Sequence, residues 1–388
     1  MILIDNPFVS DFLRNTLKKN KFMVVSTKTA KILLHDDAYS WISEKDAART
    51  IKENPDTPVY TNSENALNWI SEHLGDTILA KQVQLFKDKV QFRELIRWIY
   101  PNFYFKEVKL EEIQHLNSQK LSFPLVIKPS VGFFSIGVHV VWNRSEWEAV
   151  LRELSAESLI TIYPRNVLDT STFIIEEYIE GEEYAIDCYF NHVGEVVILN
   201  ILHHKFLSGS DTSDRVYTTS KEIVLKNKER FGAFLQLIGH KAGLKSFPAH
   251  VELRVNNQDV IMPIEINPLR FGGWCTTADL LGIATGKSPY EYFLQNRKPD
   301  WETVFEGKGN MKYSIIVLNN NTGYLPDQIE RFDYNLLKRD FENPLLIRQL
   351  DVNKYSVFGF VFAETSPGHE DELDQILASD LRKYITLK

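Results

Sequence analysis

Residues 250–267, HVELRVNNQDVIMPIEIN, constrain the fold more than any other stretch of this chain. Asn256 to Asp259 is turn chemistry, and it separates two runs in which apolar residues recur at every second position. That pattern is an antiparallel hairpin with one buried face. A two- or four-residue loop centred on the turn pairs Val255 with Val260 and Glu252 with Pro263. One face then carries Val251, Leu253, Val255, Val260, Met262, Ile264 and Ile266; the other carries His250, Glu252, Arg254, Glu265 and Asn267. Glu252 and Glu265 become diagonal neighbours, roughly 5–8 Å apart at the backbone. Carboxylates that close repel unless a positive charge lies between them. Mg²⁺ takes oxygen ligands of this kind together with substrate phosphates. A half-exposed hairpin whose acids pair with Arg254 satisfies the same pattern, so the hairpin alone does not decide.

The segment after the hairpin strengthens the anion-binding reading. Asn267-Pro-Leu-Arg-Phe-Gly-Gly-Trp-Cys-Thr-Thr runs from the strand into a helix beginning near Thr276 or Thr277. Gly272 and Gly273 allow backbone N–H groups to turn toward an anion, and Arg270 can grip phosphate or carboxylate with two bonds. Upstream, Phe123-Pro-Leu-Val-Ile-Lys-Pro-Ser reads as a buried strand ending in Lys128, and Val131-Gly-Phe-Phe-Ser-Ile-Gly137 links it to the strand Val138–Trp142. Gly132 and Gly137 have the spacing of a P-loop. Val138 stands where its lysine belongs, however, and a strand comes next in place of a helix. A hairpin loop containing Gly132, Ser135 and Gly137 can instead fold over a polyphosphate. Gly282-Ile-Ala-Thr-Gly-Lys-Ser288 is one residue short of a phosphate loop and reads as a helix end with a glycine stop. Between residues 172 and 187, Glu176, Glu177, Glu180, Glu182 and Glu183 sit on an otherwise apolar strand pair. Glu183 and Asp187 share a face and can line a cleft; Glu180 and Glu182 fit a solvated turn.

Composition bounds the function class. The chain has 388 residues, 44% hydrophobic and 25% charged, enough for two or three packed units. A formal net charge of −8 argues against bulk nucleic-acid binding but leaves room for a local cationic pocket. Cys188 and Cys275 form no disulfide framework, which fits a reducing compartment. The start MILIDNPFVSDFLRN lacks the basic-then-apolar order of a secretory signal, and no apolar run approaches the roughly 20 residues that span a bilayer. A cytoplasmic, soluble chain is expected. So are three units: α/β over 1–100, α+β over 101–298, and small α+β over 299–388. The first opens strand–helix–strand, with Ser10 capping DFLRNTLKKN and no GxGxxG.

In order along residues 86–290, Asp88-Lys89 opening a helix, LVIKPS with its glycine loop, IIEEYIEGEEYAID, and HVELR…PIEINPLRFGG resemble the ATP-grasp superfamily. The resemblance implies an ATP-grasp fold, two α+β subdomains clamping ATP behind an amino-terminal α/β domain. Lys89 and Lys128 would then hold the α- and β-phosphates. Glu176, with its neighbour Glu177 and the backbone near Ile179, would read the adenine edge, and Glu183 would take the ribose hydroxyls. Glu252, Glu265 and Asn267 would bind one or two Mg²⁺ ions, with Mn²⁺ as a substitute. Arg270 would stabilise the transferring phosphoryl group, with Lys205 and Arg254 around it and His203, His204 and His250 as weaker candidates. Two departures stand out: Leu269 separates Asn-Pro from Arg270, and Phe133 and Phe134 occupy the glycine loop.

The implied activity is an ATP-dependent carboxylate–amine ligase that forms an acyl phosphate and then an amide. Its substrates would be small molecules, amino acids or short peptides, and a homodimer is compatible with the architecture. A carboxylating enzyme of the biotin or purine-pathway type and an inactive ATP-binding module are the alternatives. The residues 207–214 are expected to form a loop over the acceptor substrate.

Overall fold

Local signals set the first unit. Ser10 accepts from the Leu13 N–H and starts the helix Asp11–Asn20, which ends at Lys21 in a left-handed cap. Thr27 and Ser43 begin the helices Lys28–Leu34 and Glu44–Glu53 in the same way. These helices connect four short parallel strands, β1 Ile2–Leu3, β2 Met23–Val25, β3 Ser40–Ile42 and β4 Tyr60–Thr61, in the order β3-β2-β1-β4. The computed structural model describes the chain apart from residues 36–37, 133–136, 156–168 and 208–213.

A second sheet takes β5 Phe105–Lys109, β6 Leu125–Val131, β7 His139–Val141 and β8 Asp169–Glu177 in the order β5-β8-β6-β7. Its apolar side packs on the helix Arg144–Ser155 through Ile127, Val141, Trp147 and Phe173. The linker Tyr178–Gly181 then leads into the large sheet. That sheet begins with β9 Glu182–Phe190, β10 Val196–Lys205, β11 Val216–Thr219, β12 Phe247–Val255 and β13 Ile261–Pro268. It runs on past residue 298 through β14 Lys312–Asn319, β16 Asn343–Gln349 and β17 Val357–Thr365, giving eight strands in the order β13-β12-β9-β10-β11-β14-β17-β16. A small pair, β15 Ile329–Phe332 with β18 Ile385–Leu387, closes the carboxyl end.

One face of the large sheet is apolar. Tyr184, Ile186, Cys188, Val251 and Leu253 meet Phe231, Leu235 and Ile238 of the 22-residue helix Lys221–Ala242. Because β-residues alternate, the opposite face is free to carry polar side chains. No described helix is long and apolar enough to cross a membrane.

The β12–β13 register differs from the sequence expectation. Val255 pairs with Ile261, Leu253 with Pro263 and, after a bulge, Glu252 with Glu265. Asp259 adopts a left-handed φ of 61°, so the turn has three residues, Asn257–Asp259, closed by the Asn256–Val260 bond. That odd loop moves Ile261 and Pro263 to the core side and Met262 to the polar side. The extra residue near Ile264 then restores the alternation. Arg93 stabilises the bulge by donating to the Pro263 carbonyl at 2.6 Å and the Ile264 carbonyl at 3.2 Å.

Candidate active site

Three rows of side chains cross the polar face of the large sheet, each made of residues paired between neighbouring strands. Met262, Arg254, Glu183, His204 and Tyr217 form the first. Glu265 and Glu252 lead the second, beside Ala185 and Leu202; Asn267, His250, Asp187 and Asn200 form the third. Glu252 and Glu265 are therefore directly opposed, closer than the diagonal placement expected from the sequence.

The helix Lys89–Ile96 joins this face to the second sheet. Asp88 caps it, and Lys89 at its first turn reaches Glu265 Oε2 at 3.2 Å and the Gly132 carbonyl at 3.3 Å. One turn later Arg93 contacts both oxygens of Glu176, at 2.6 and 3.2 Å, while Lys128 lies 2.8 Å from Glu176 Oε1. All three are buried. Burial pushes the Glu176 carboxyl up, but the charges of Arg93 and Lys128 overcome it and hold it at about 2. Burial also lowers Lys128, against the pull of Glu176. The two oxygens expected to read an adenine edge are thus already engaged. Glu176 is the counter-ion of two cations, because its place in mid-β8 faces Arg93 directly.

A second cluster forms where the amino-terminal unit meets the end of β13. Leu269, at φ 59°, turns the chain; its carbonyl accepts from the Thr61 N–H at 2.7 Å and its N–H donates to the Pro248 carbonyl at 2.8 Å. This turn at Leu269 directs Arg270 toward Glu64. Arg270 Nε donates to Glu64 Oε1 at 2.8 Å, and Lys87 Nζ lies 2.6 Å from Oε2. Burial opposes ionisation of Glu64, yet Lys87 and Arg270 hold it at about 2.

The metal candidates have unequal electrostatics. Burial would raise Glu265, but Lys89 and Lys128 keep it at about 2, and Asn267 Nδ2 donates to its Oε1 at 3.0 Å. Glu252 is driven well above the usual carboxylate range by burial and by Glu265, Glu183 and Asp214. Among the described residues no three His, Cys, Asp or Glu side chains form a ready-made metal cage. Lys89 instead supplies the positive charge beside Glu265. The donors that remain are all oxygens, those of Glu252 and Glu265 and the Asn267 amide, which is the set Mg²⁺ or Mn²⁺ prefers.

The remaining expected residues are largely engaged with one another. Glu183 spends one oxygen on His204 Nδ1, 2.8 Å, and the other on Arg254 Nε, 2.9 Å, so a free ribose-binding carboxylate is not what the structure has. Arg254 also donates to the Ile179 carbonyl at 2.7 Å, and its guanidinium lies over the rings of Tyr178 and Phe206. It clamps the linker between the two sheets. Glu177 is exposed and accepts from the Tyr104 N–H at 3.1 Å. Lys205, expected beside Arg270, pairs with Asp374 on the helix Asp371–Ala378. His203 packs beside Tyr184, and His250 contacts Asp187. Gly137 has a φ of 71°. Ser135, Phe133, Phe134 and most of the 207–214 loop lie outside the described residues. Sequence reasoning missed Arg93, Glu64 and Lys87; no local motif marks them, since each partner is far away along the chain.

The buried lysines, arginines and carboxylates meet between the second sheet and the large one, and over this part of the chain the family model of the ATP-grasp domain matches residues 121–278. In sequence the chain is similar to D-alanine--D-alanine ligase A of Bacillus cereus, 30% identical over 164 residues, which is 42% of this chain and 49% of the relative. It is also similar to D-alanine--D-alanine ligase of Lacticaseibacillus casei, 22% identical over 178 residues, covering 42% and 46%. The match spans about half the length of these curated relatives. In fold it is similar to the L-amino acid ligase of Bacillus licheniformis, with a TM-score of 0.69 and 21% identity over 100% of this chain and 98% of that one. The biotin carboxylase of Campylobacter jejuni is similar at 0.63 and 13%, over 100% and 91%.

Proposed function

We propose that the chain is an ADP-forming ligase that activates a carboxylate as an acyl phosphate and passes the acyl group to an amine. The observation that carries this reading is the local charge balance. Arg93 and Lys128 share one carboxylate, Glu176; Lys87 and Arg270 share another, Glu64. Each cluster holds one cation more than it needs, in a chain whose net charge is −8. Such a surplus, buried and prearranged, suits a polyanion such as the triphosphate of ATP.

In this reading Lys89 and Lys128 turn from Glu265 and Glu176 to the phosphates, and Glu252, Glu265 and Asn267 hold Mg²⁺. The ion would neutralise the oxygens of the transferring phosphoryl group. A substrate carboxylate oxygen attacks the γ-phosphorus, the bond to the ADP oxygen breaks, and Arg270 stabilises the charge on the group in flight. The amine then adds to the acyl carbon, loses its proton and expels phosphate, leaving an amide. Gly132, tied to Lys89 through its carbonyl, links the loop after β6 to phosphate arrival. The names of the similar ligases favour amino acids as both substrates.

The test is phosphate release from MgATP across a panel of amino acids and dipeptides, singly and in pairs, with bicarbonate as a separate arm. Release that requires a particular pair is the expected result. Release driven by bicarbonate would assign a carboxylating enzyme, and ATP binding with no release under any condition would leave a binding module.

A further inference from the structure

Asp187 sits fully buried in the middle of β9 and has no part in the proposed phosphoryl and acyl transfers. Its Oδ1 accepts two hydrogen bonds, from His250 Nδ1 at 2.7 Å and from the Gly272 N–H at 3.1 Å. Its Oδ2 has no partner among the described residues. A buried carboxylate with an idle oxygen is costly to keep for packing alone, since an apolar side chain would fill the row without that penalty.

Both donors lead into the site. His250 Nε2 lies 3.7 Å from Glu252 Oε1. The Gly272 N–H belongs to the same peptide unit as the Phe271 carbonyl, which accepts Arg270 Nη1 at 2.9 Å. A peptide unit is planar, so an acceptor that holds its N–H also sets the direction of its C=O. Asp187 grips one end of this plane and Arg270 the other. The N–H is shared with Thr277 Oγ1 at 2.8 Å, and the approach requires glycine: a Cβ at 272 would come within 2.4 Å of the Thr277 side chain.

We infer that Asp187 is a positioning residue that locks the Phe271–Gly272 peptide and the His250 ring, and so seats the Arg270 guanidinium and Glu252 in one frame around the transferring phosphoryl group. The inference rests on the ligase reading, and its test keeps the two apart. Binding of MgADP is measured by calorimetry with and without aluminium fluoride, which mimics the group in transfer. In the unaltered chain the fluoride should tighten MgADP by about tenfold or more. Asp187→Ala should still bind MgADP but retain less than about a threefold gain. Asp187→Asn keeps an oxygen that can accept both bonds, and should recover the gain. In an Arg270→Ala background, adding Asp187→Ala should remove less than it removes from the unaltered chain, because only the arm through His250 and Glu252 is left to lose.

Full gain in Asp187→Ala overturns the inference. Equal loss in the Asn and Ala variants also overturns it, because charge rather than an acceptor would then be the requirement. If Asp187→Ala does not bind MgADP at all, Asp187→Ser takes its place, too short to reach both donors and expected to show the same loss. No gain in the unaltered chain defeats the ligase reading itself, and the inference falls with it.

Discussion

At the scale of single residues, the site is a set of carboxylates separated by their surroundings. Glu265 is held at about 2 by Lys89 and Lys128 against burial, whereas Glu252, directly across the ladder, is pushed well up. Glu265→Gln removes the ionised member and leaves Lys89 without its charge partner. ATP turnover should fall by about 100-fold or more, read as kcat for phosphate release; unchanged kcat would sink the metal assignment. Arg93 tests structure rather than chemistry. It is 2% exposed and binds Glu176 and two bulge carbonyls. Arg93→Leu strands a buried carboxylate with Lys128 alone, and urea unfolding should show a loss of about 3–5 kcal/mol. The carboxylates of the hairpin and Lys128 of β6 were legible as chemistry because they interrupt an apolar period. Arg93 was not, since its partner lies 83 residues away and nothing in its own helix marks it.

At the scale of elements, the hairpin shows what periodicity can and cannot decide. The alternation of β12 and β13 placed His250, Glu252, Arg254, Glu265 and Asn267 correctly on the polar face. It misassigned Met262, because a three-residue loop and a bulge cancel each other only beyond Ile264. The linker between the sheets is a second case. Gly181 has a φ of 127°, and a Cβ there would meet the Val255 carbonyl oxygen at 2.2 Å. Gly181→Ala should therefore cost about 2 kcal/mol or more in thermal or urea unfolding, through backbone strain and a displaced β12 end. A neutral result would mean that the linker can move without disturbing the large sheet. The helix Lys221–Ala242 escaped the sequence reading although it covers much of the apolar face. Its caps, Ser220 and Gly243, were the available signal.

At the scale of the whole molecule, two buried carboxylates report on acid stability. Glu64 joins the amino-terminal unit to the site, and Glu176 joins the second sheet to the helix Lys89–Ile96; both fall from 4.5 to about 2 on folding. A depressed carboxylate pKa contributes stability above the unfolded value, and that contribution is lost as the pH falls through the folded one. The melting temperature should thus decline between pH 4.5 and about 2, as both carboxyls protonate. Glu64→Gln should lower the melting temperature at pH 7 and flatten the acid limb. An acid limb identical to that of the parent would show that Glu64 does not tie the units together.

Alternation and turn chemistry over a few residues were enough to mark the strands with one polar face, Lys128 at the end of an apolar strand, and the carboxylates of the hairpin and of the acidic strand pair before it. Which of those carboxylates stay open to a ligand, and which are spent as counter-ions, was settled by packing between the sheets. Glu176 goes to Arg93, and Glu183 to Arg254 and His204; Glu64, which no period marks, goes to Arg270 across 206 residues. Each choice depends on charges brought within about 3 Å of one another in a buried setting, where Coulomb attraction is strong, and a local period carries no record of them.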